Sequence, residues 1–194
     1  MFGIFKKKPR KAQTPLAPKS GSDECATAVR WVAASADRAE FRQRATSAAQ
    51  SLGAGAIEPL SLAFHSETEP PEELKARFSG LGSWMAVRQF AIFEILYAIG
   101  EPSLPVLWRV VLGEYDWTQG NAIEILCRLA ADGVQPTVVL DELKKALPNM
   151  REEAVYYAAG PLRQHANEDD RMLPIIDELV KLPVFADAWA RFKN

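Results

Sequence analysis

The sequence predicts an all-α fold, an α-α superhelix of about four helical hairpins closed by capping helices. Three observations carry this. Apolar residues recur at steps of three and four from Asp23 onward, glycine and proline fall between the periodic stretches, and two short marks repeat along the chain at similar spacings. No stretch alternates with the period of two that a half-buried strand requires.

The periodicity and its breaks place helices near 23–36, 38–52, 56–65, 71–79, 84–99, 103–112, 118–132, 136–147, 150–165, 170–181 and 184–192. Asp37 followed by Glu40 forms a capping-box-like entry to the second helix, because a short acceptor can take the orphan N–H three residues on while the glutamate reaches back. Pro71 suits a first helical position, and Asn167 is a candidate cap for the segment starting Glu168-Asp169-Asp170. Gly53, Gly80, Gly100 and Gly133 fit the left-handed position just past a helix end. Phe185, Trp189 and Phe192 form one stripe on the last helix, expected to close the final repeat.

The repeat has two independent signatures. Arg42-Gln43-Arg44-Ala45, Arg88-Gln89-Phe90-Ala91 and Arg151-Glu152-Glu153-Ala154 each open a long apolar helix, and Gln119-Gly120-Asn121-Ala122 keeps the alanine alone. These alanines lie 46, 31 and 32 residues apart. Pro59, Pro105 and Pro174 sit in the opening turn of the following helix, with Val139 in the corresponding place, at steps of 46, 34 and 35. The turn-rich stretch from His65 to Ser83 accounts for the long first step. A two-helix unit of this size cannot bury its apolar face alone, so neighbouring units must stack. Leu104, Leu107, Ile125, Leu126 and Leu140 are expected in the resulting core.

The run Trp84-Met85-Ala86-Val87-Arg88-Gln89-Phe90-Ala91, followed by Ile99-Gly100-Glu101-Pro102-Ser103-Leu104-Pro105-Val106-Leu107, resembles the HEAT-like repeat family in its short-period bacterial form. The resemblance spans roughly residues 38–182 and is best over 84–112. Gln119 departs from the pattern where arginine is usual, and Gly160-Pro161 interrupts the last long helix. The resemblance implies an α-solenoid whose second helices line a concave face that binds proteins; some relatives are lyase-type chromophore chaperones or DNA glycosylases.

Charge narrows the function. The chain has 23 basic and 25 acidic side chains. Residues 1–19 hold six of the lysines and arginines and no acid, leaving 17 basic against 25 acidic groups from residue 20 on. A body of this sign repels nucleic acid and suits a basic protein partner. The opening stretch lacks the apolar core of a secretory signal, and residues 1–22 are expected to be a disordered basic arm on a cytoplasmic protein. Its Phe2, Ile4, Phe5, Lys6, Lys7 and Lys8 are candidate contacts to an anionic membrane surface.

No catalytic motif, metal-ligand set or phosphate loop is present, so no cofactor is expected and enzyme activity is not indicated. Cys25 and Cys127 read as buried thiols, and His65 and His165 as capping or surface residues at helix ends. Candidate partner-binding residues are Gln89, Glu124, Arg128, Glu152, Tyr156 and Arg163 on the second helices, with Trp84 and Trp117 as aromatic anchors at helix entrances. Arg88 and Arg151 read as a structural ladder. The leading expectation is a non-catalytic adaptor, chaperone or immunity-type protein. A subunit of a lyase- or glycosylase-type enzyme, and a membrane scaffold anchored by residues 1–11, are the alternatives.

Overall fold

The computed structural model describes residues 20–78, 80–114 and 116–192. Among these residues there is no strand, and ten α-helices pack together: α1 (Ser20–Ala33), α2 (Arg38–Leu52), α3 (Ile57–Ala63), α4 (Leu81–Ile99), α5 (Leu104–Val111), α6 (Thr118–Ala131), α7 (Pro136–Ala146), α8 (Glu152–Glu168), α9 (Leu173–Leu179) and α10 (Pro183–Ala190). The basic arm's candidate membrane contacts lie outside the described residues. Among the described residues, no helix is long and apolar enough to cross a membrane.

Local chemistry explains most boundaries. Asp37 accepts from the Glu40 backbone N–H at 2.9 Å, and Glu40 Oε2 accepts from the Ala36 N–H at 2.6 Å, so two orphan donors at the start of α2 are satisfied together. Gly53, Gly100 and Gly133 turn the chain at positive φ. Short 3₁₀ turns precede α3, α5 and α9, and prolines stand in the first turns of α5, α7, α9 and α10, where their missing N–H has no helical partner.

The helix expected over 71–79 is reduced to a 3₁₀ turn at Glu72–Leu74, because among the described residues there only Leu74 and Phe78 pack on the core. Gly80 consequently precedes a helix rather than ending one. The first helix starts three residues ahead of Asp23, within the expected arm. Asp169 caps the segment before α9 by accepting from the Arg171 N–H, whereas Asn167 remains inside α8. Gly160-Pro161 does not break α8, which continues to Glu168.

The long helices form a row: α2 packs on α4, α4 on α6 and α6 on α8. The shorter helices cover it, with α3 on α4, α5 and α7 on α6, and α9 on α6 and α7. α1 covers α2 and α4 at one end, and α10 covers α8 at the other. Leu60, Ile92, Leu96, Leu107, Leu126 and Leu143 are fully buried between these elements. Leu104, Ile125 and Leu126 are buried as expected, while Leu140 is half-buried against the same core.

α6 and α8 approach closely at Gly120. A Cβ built on Gly120 would lie 2.6 Å from Tyr157 Cβ and 2.8 Å from the Ala154 carbonyl oxygen, so only glycine lets the two backbones meet there. The last-helix stripe closes its end of the row: Phe185 is fully buried and stacks on Trp189, while Phe192 stacks on Tyr156 at 4.7 Å and fills the space over Gly160.

Candidate functional site

Each long helix sends one stripe to a common face. At helical steps of three and four, α2 contributes Arg38, Arg42 and Thr46; α4 contributes Val87, Phe90, Glu94 and Tyr97; α6 contributes Asn121, Glu124 and Arg128; and α8 contributes Pro161, Gln164, His165 and Glu168. The early members of the stripes enclose a cavity of about 330 Å³, and the later members enclose one of about 370 Å³. Arg42, Glu94, Arg128 and His165 line both cavities and so form the partition between them.

That partition is a buried charge network. Arg128 donates to Glu94 Oε2 at 2.8 Å and Oε1 at 2.7 Å, and to Glu124 Oε1 at 3.3 Å. Its guanidinium lies 3.8 Å over the Tyr97 ring, and only 7% of its side chain is exposed. Burial pushes the Glu94 carboxyl up, but the Arg128 hydrogen bonds and charge outweigh it and hold the group below its ordinary 4.5. The same carboxylates raise Arg128 against its own desolvation.

His165 extends the network. Its Nε2 is 2.8 Å from Glu124 Oε1 and its Nδ1 is 3.3 Å from Arg42 Nη2. The Glu124 carboxylate can only accept, which calls for a proton on Nε2, and Arg38 Nη2 lies 3.5 Å from the same nitrogen. Above it, Glu168 accepts from Arg38 at 2.8 Å and from Arg42 at 3.2 Å. These bonds join α2 to α8, the first and last helices of the row, across the cavities. Burial raises the Glu168 carboxyl, and the Arg42 hydrogen bond with the Arg38 and Arg42 charges lowers it further than burial raises it.

The far end of the face is closed by a second chain of contacts. The Tyr97 hydroxyl donates to Asp132 at 2.5 Å, and Arg171 pairs with both Asp132, at 2.9 Å, and Asp169. Burial and the Asp132 hydrogen bond push the Tyr97 phenol up to about 12. Among the described residues, no group of three or more histidine, cysteine or acidic side chains could hold a metal ion. Cys127 is fully buried, and burial raises its thiol.

The sequence-selected residues divide three ways. Glu124 and Arg128 come together as expected from one face of α6, but as buried partners of each other rather than exposed contacts. Trp117, half-buried, sits edge-on to Phe90 at 6.0 Å beside the same face. The others are elsewhere. Trp84 is fully buried against Phe78 and cannot anchor a partner. Gln89 is buried and donates to the Phe64 carbonyl at 3.0 Å, holding the chain after α3. Arg88 holds the same turn by donating to the Ser66 carbonyl, whereas Arg151 is exposed at the start of α8. Glu152 is exposed near Arg191, and Tyr156 and Arg163 pack on Phe192 and Trp189 at the capped end.

Sequence reasoning missed Arg38, Glu94 and Glu168 and misplaced His165, which is 8% exposed rather than on the surface; His65 is exposed, 3.5 Å from Asp116. A single charge inside the apolar run Phe90–Leu96 of α4 was the available signal for Glu94, since a buried charge requires a partner.

No protein-family model, curated protein or solved structure matches this chain.

Proposed function

We propose that the chain is a HEAT-like α-solenoid that binds another protein through the α2/α4/α6/α8 face, without chemistry of its own. The repeat reading is supported by contacts that recur with the sequence period: Arg128 with Glu94, Gln135 with Glu101, and Lys144 with Glu178 each join residues 34 apart. Each pair ties a long or short helix, or the turn after it, to its counterpart in the neighbouring unit.

The observation that carries the binding reading is the composition of the shared face. Phe90, 44% exposed, meets half-buried Trp117 edge-on beside a cavity whose floor is a locked charge network, and Tyr157, 49% exposed, stands one helical turn before Pro161 of the same cavity wall. Large rings held on rigid helices around a concavity are what anchor partners at interfaces. The charged groups below them are committed to each other: both Glu94 oxygens engage Arg128, and both His165 nitrogens have neighbours. Such a network positions helices and offers no free base or nucleophile. The acidic balance from residue 20 onward complements a basic partner.

Capture from the native host tests this with two variants. Phe90→Ser/Tyr157→Ser alters the shared face, and Leu112→Ser/Val138→Ser alters exposed apolar residues just after α5 and on α7. The reading requires a specific partner that the first variant loses and the second retains. Retention of the same partner by both would overturn it.

A further inference from the structure

The 330 Å³ cavity has an unusual balance of free hydrogen-bonding groups. Its apolar wall is Phe41, Val87, Phe90, Phe93, Ile125 and Pro161. Its lining carboxylates are spent, Glu94 on Arg128 and Glu124 on Arg128 and His165, while Glu168, which lines the neighbouring cavity, accepts from Arg38 and Arg42. Donors remain. A guanidinium carries five N–H groups, and the contacts to Glu168 and His165 involve Nη1 and Nη2 of Arg38 and only Nη2 of Arg42. Asn121, 5% exposed, lines the same cavity with a buried Nδ2 that has no hydrogen-bond partner among the described residues.

Charge is graded in the same sense. At the floor one guanidinium, Arg128, faces two carboxylates; at the rim two guanidiniums, Arg38 and Arg42, share one, Glu168. The rim therefore carries the excess positive charge and the spare donors, directly beside an aromatic wall. An occupant must supply acceptors and a negative charge at one end and an apolar body at the other. The volume lies at the lower edge of the ~300–1,000 Å³ typical of ligand pockets, which limits that body to about one aromatic or branched side chain.

We propose that this cavity binds a carboxylate borne on an aromatic or branched apolar group, with the carboxylate on Arg38 and Arg42 and the body against Phe90, Phe93 and Ile125. The chemistry is shared by a free organic acid and by the terminus of a protein chain ending in such a residue. The second source would deepen the protein-binding reading of this face and rests on it; the first does not.

Calorimetric titration of the full chain with defined compounds tests the proposal. Phenylacetate should bind with a dissociation constant of about 0.1–5 mM, and phenylacetamide and inorganic phosphate at least about tenfold more weakly, because each lacks one half of the recognition. Arg42→Gln should weaken phenylacetate by about tenfold and Arg42→Lys by less, with the melting curve checked for each. Glu168→Gln should tighten binding several-fold, since it releases both arginines from their competing carboxylate; a merely unfolded or loosened variant could not do that. A tripeptide ending in phenylalanine, compared with phenylacetate, identifies the source: tighter binding by the peptide acid assigns the chain terminus, and weaker binding assigns the free acid. Equal affinity for phenylacetate and phenylacetamide, no heat with either up to about 20 mM, or phosphate binding as well as phenylacetate would overturn the proposal. No partner protein enters the titration, so such a result removes the anion pocket and leaves the recognition reading to the capture experiment.

Discussion

Replacing Arg128 by alanine should be among the most destabilising single changes in the protein. The arginine is 6% exposed and makes two charge-assisted bonds to Glu94, at 2.7 and 2.8 Å, with a third contact to Glu124 and the Tyr97 ring beneath it. Its removal leaves two buried carboxylates facing each other without their cation. Breaking a buried ion pair from one side costs about 3–5 kcal/mol, a large share of the ~5–15 kcal/mol that holds a domain folded. For a chain of this length that corresponds to a melting temperature lower by about 6–20 °C. Urea denaturation at neutral pH, with the slope compared to wild type, measures the loss directly. Replacing the trio by apolar residues, as Arg128→Met/Glu94→Leu/Glu124→Leu, should recover most of it, because the cost lies in uncompensated charge rather than in the absence of an ion pair. A loss below about 1 kcal/mol for Arg128→Ala would mean instead that the network is hydrated like a surface pair. Charge reversal at Arg128 therefore cannot serve as a neutral probe of partner binding, despite what its position in the sequence suggests.

Acid should act through the same groups. Glu94 and Glu168 are held below their ordinary 4.5, and Lys144 and Lys181 bring Glu178 down to about 2, so these carboxylates stabilise the fold fully above 4.5 and progressively less as pH falls through their folded values. Stability against urea should drop between about pH 4.5 and 2, less steeply in Arg128→Ala, where Glu94 has lost the interaction that lowers it; parallel slopes would contradict this. Gly120→Ala should cost about 1–3 kcal/mol or more by forcing α6 from α8 at Tyr157 and Ala154, read as a lower melting temperature; an unchanged melt would contradict the close approach. For the arm, Phe2, Ile4, Phe5 and Lys6 to Lys8 predict salt-sensitive sedimentation with anionic vesicles that is lost on deleting residues 1–11, and equal sedimentation with neutral vesicles would count against a membrane role.

Helix positions were legible because their determinants are local. The box at Asp37 and Glu40 fixes the start of α2, and Gly53, the expected terminator, follows its last residue. The expected helix at 71–79 failed for a local reason as well: Pro71 and the following acids imitate a helix start, but Leu74 and Phe78 are too few to make a face worth burying. The candidate site was only half legible. Glu124 and Arg128 were found through the repeat pattern, since they recur on one side of a long helix. Their burial was not, because it depends on Glu94, 34 residues earlier, filling the space in front of Arg128. Arg38 and Arg42 meet Glu168 across 130 and 126 residues of sequence, a pairing that no local rule anticipates. His165 looked terminal because Asn167 reads as a cap for the segment that follows, yet α8 runs on to Glu168 and turns the imidazole inward toward Glu124.

We propose that the row of long helices presents the recognition face. Hydroxyl-radical footprinting of the chain with and without its purified partner measures that face side chain by side chain. Phe90, Trp117 and Tyr157 should be protected on complex formation, with Val138 and Leu173 on the shorter helices and Leu112 just after α5 unchanged. Protection of the second group, with the three aromatic residues as reactive as in the free protein, would contradict it.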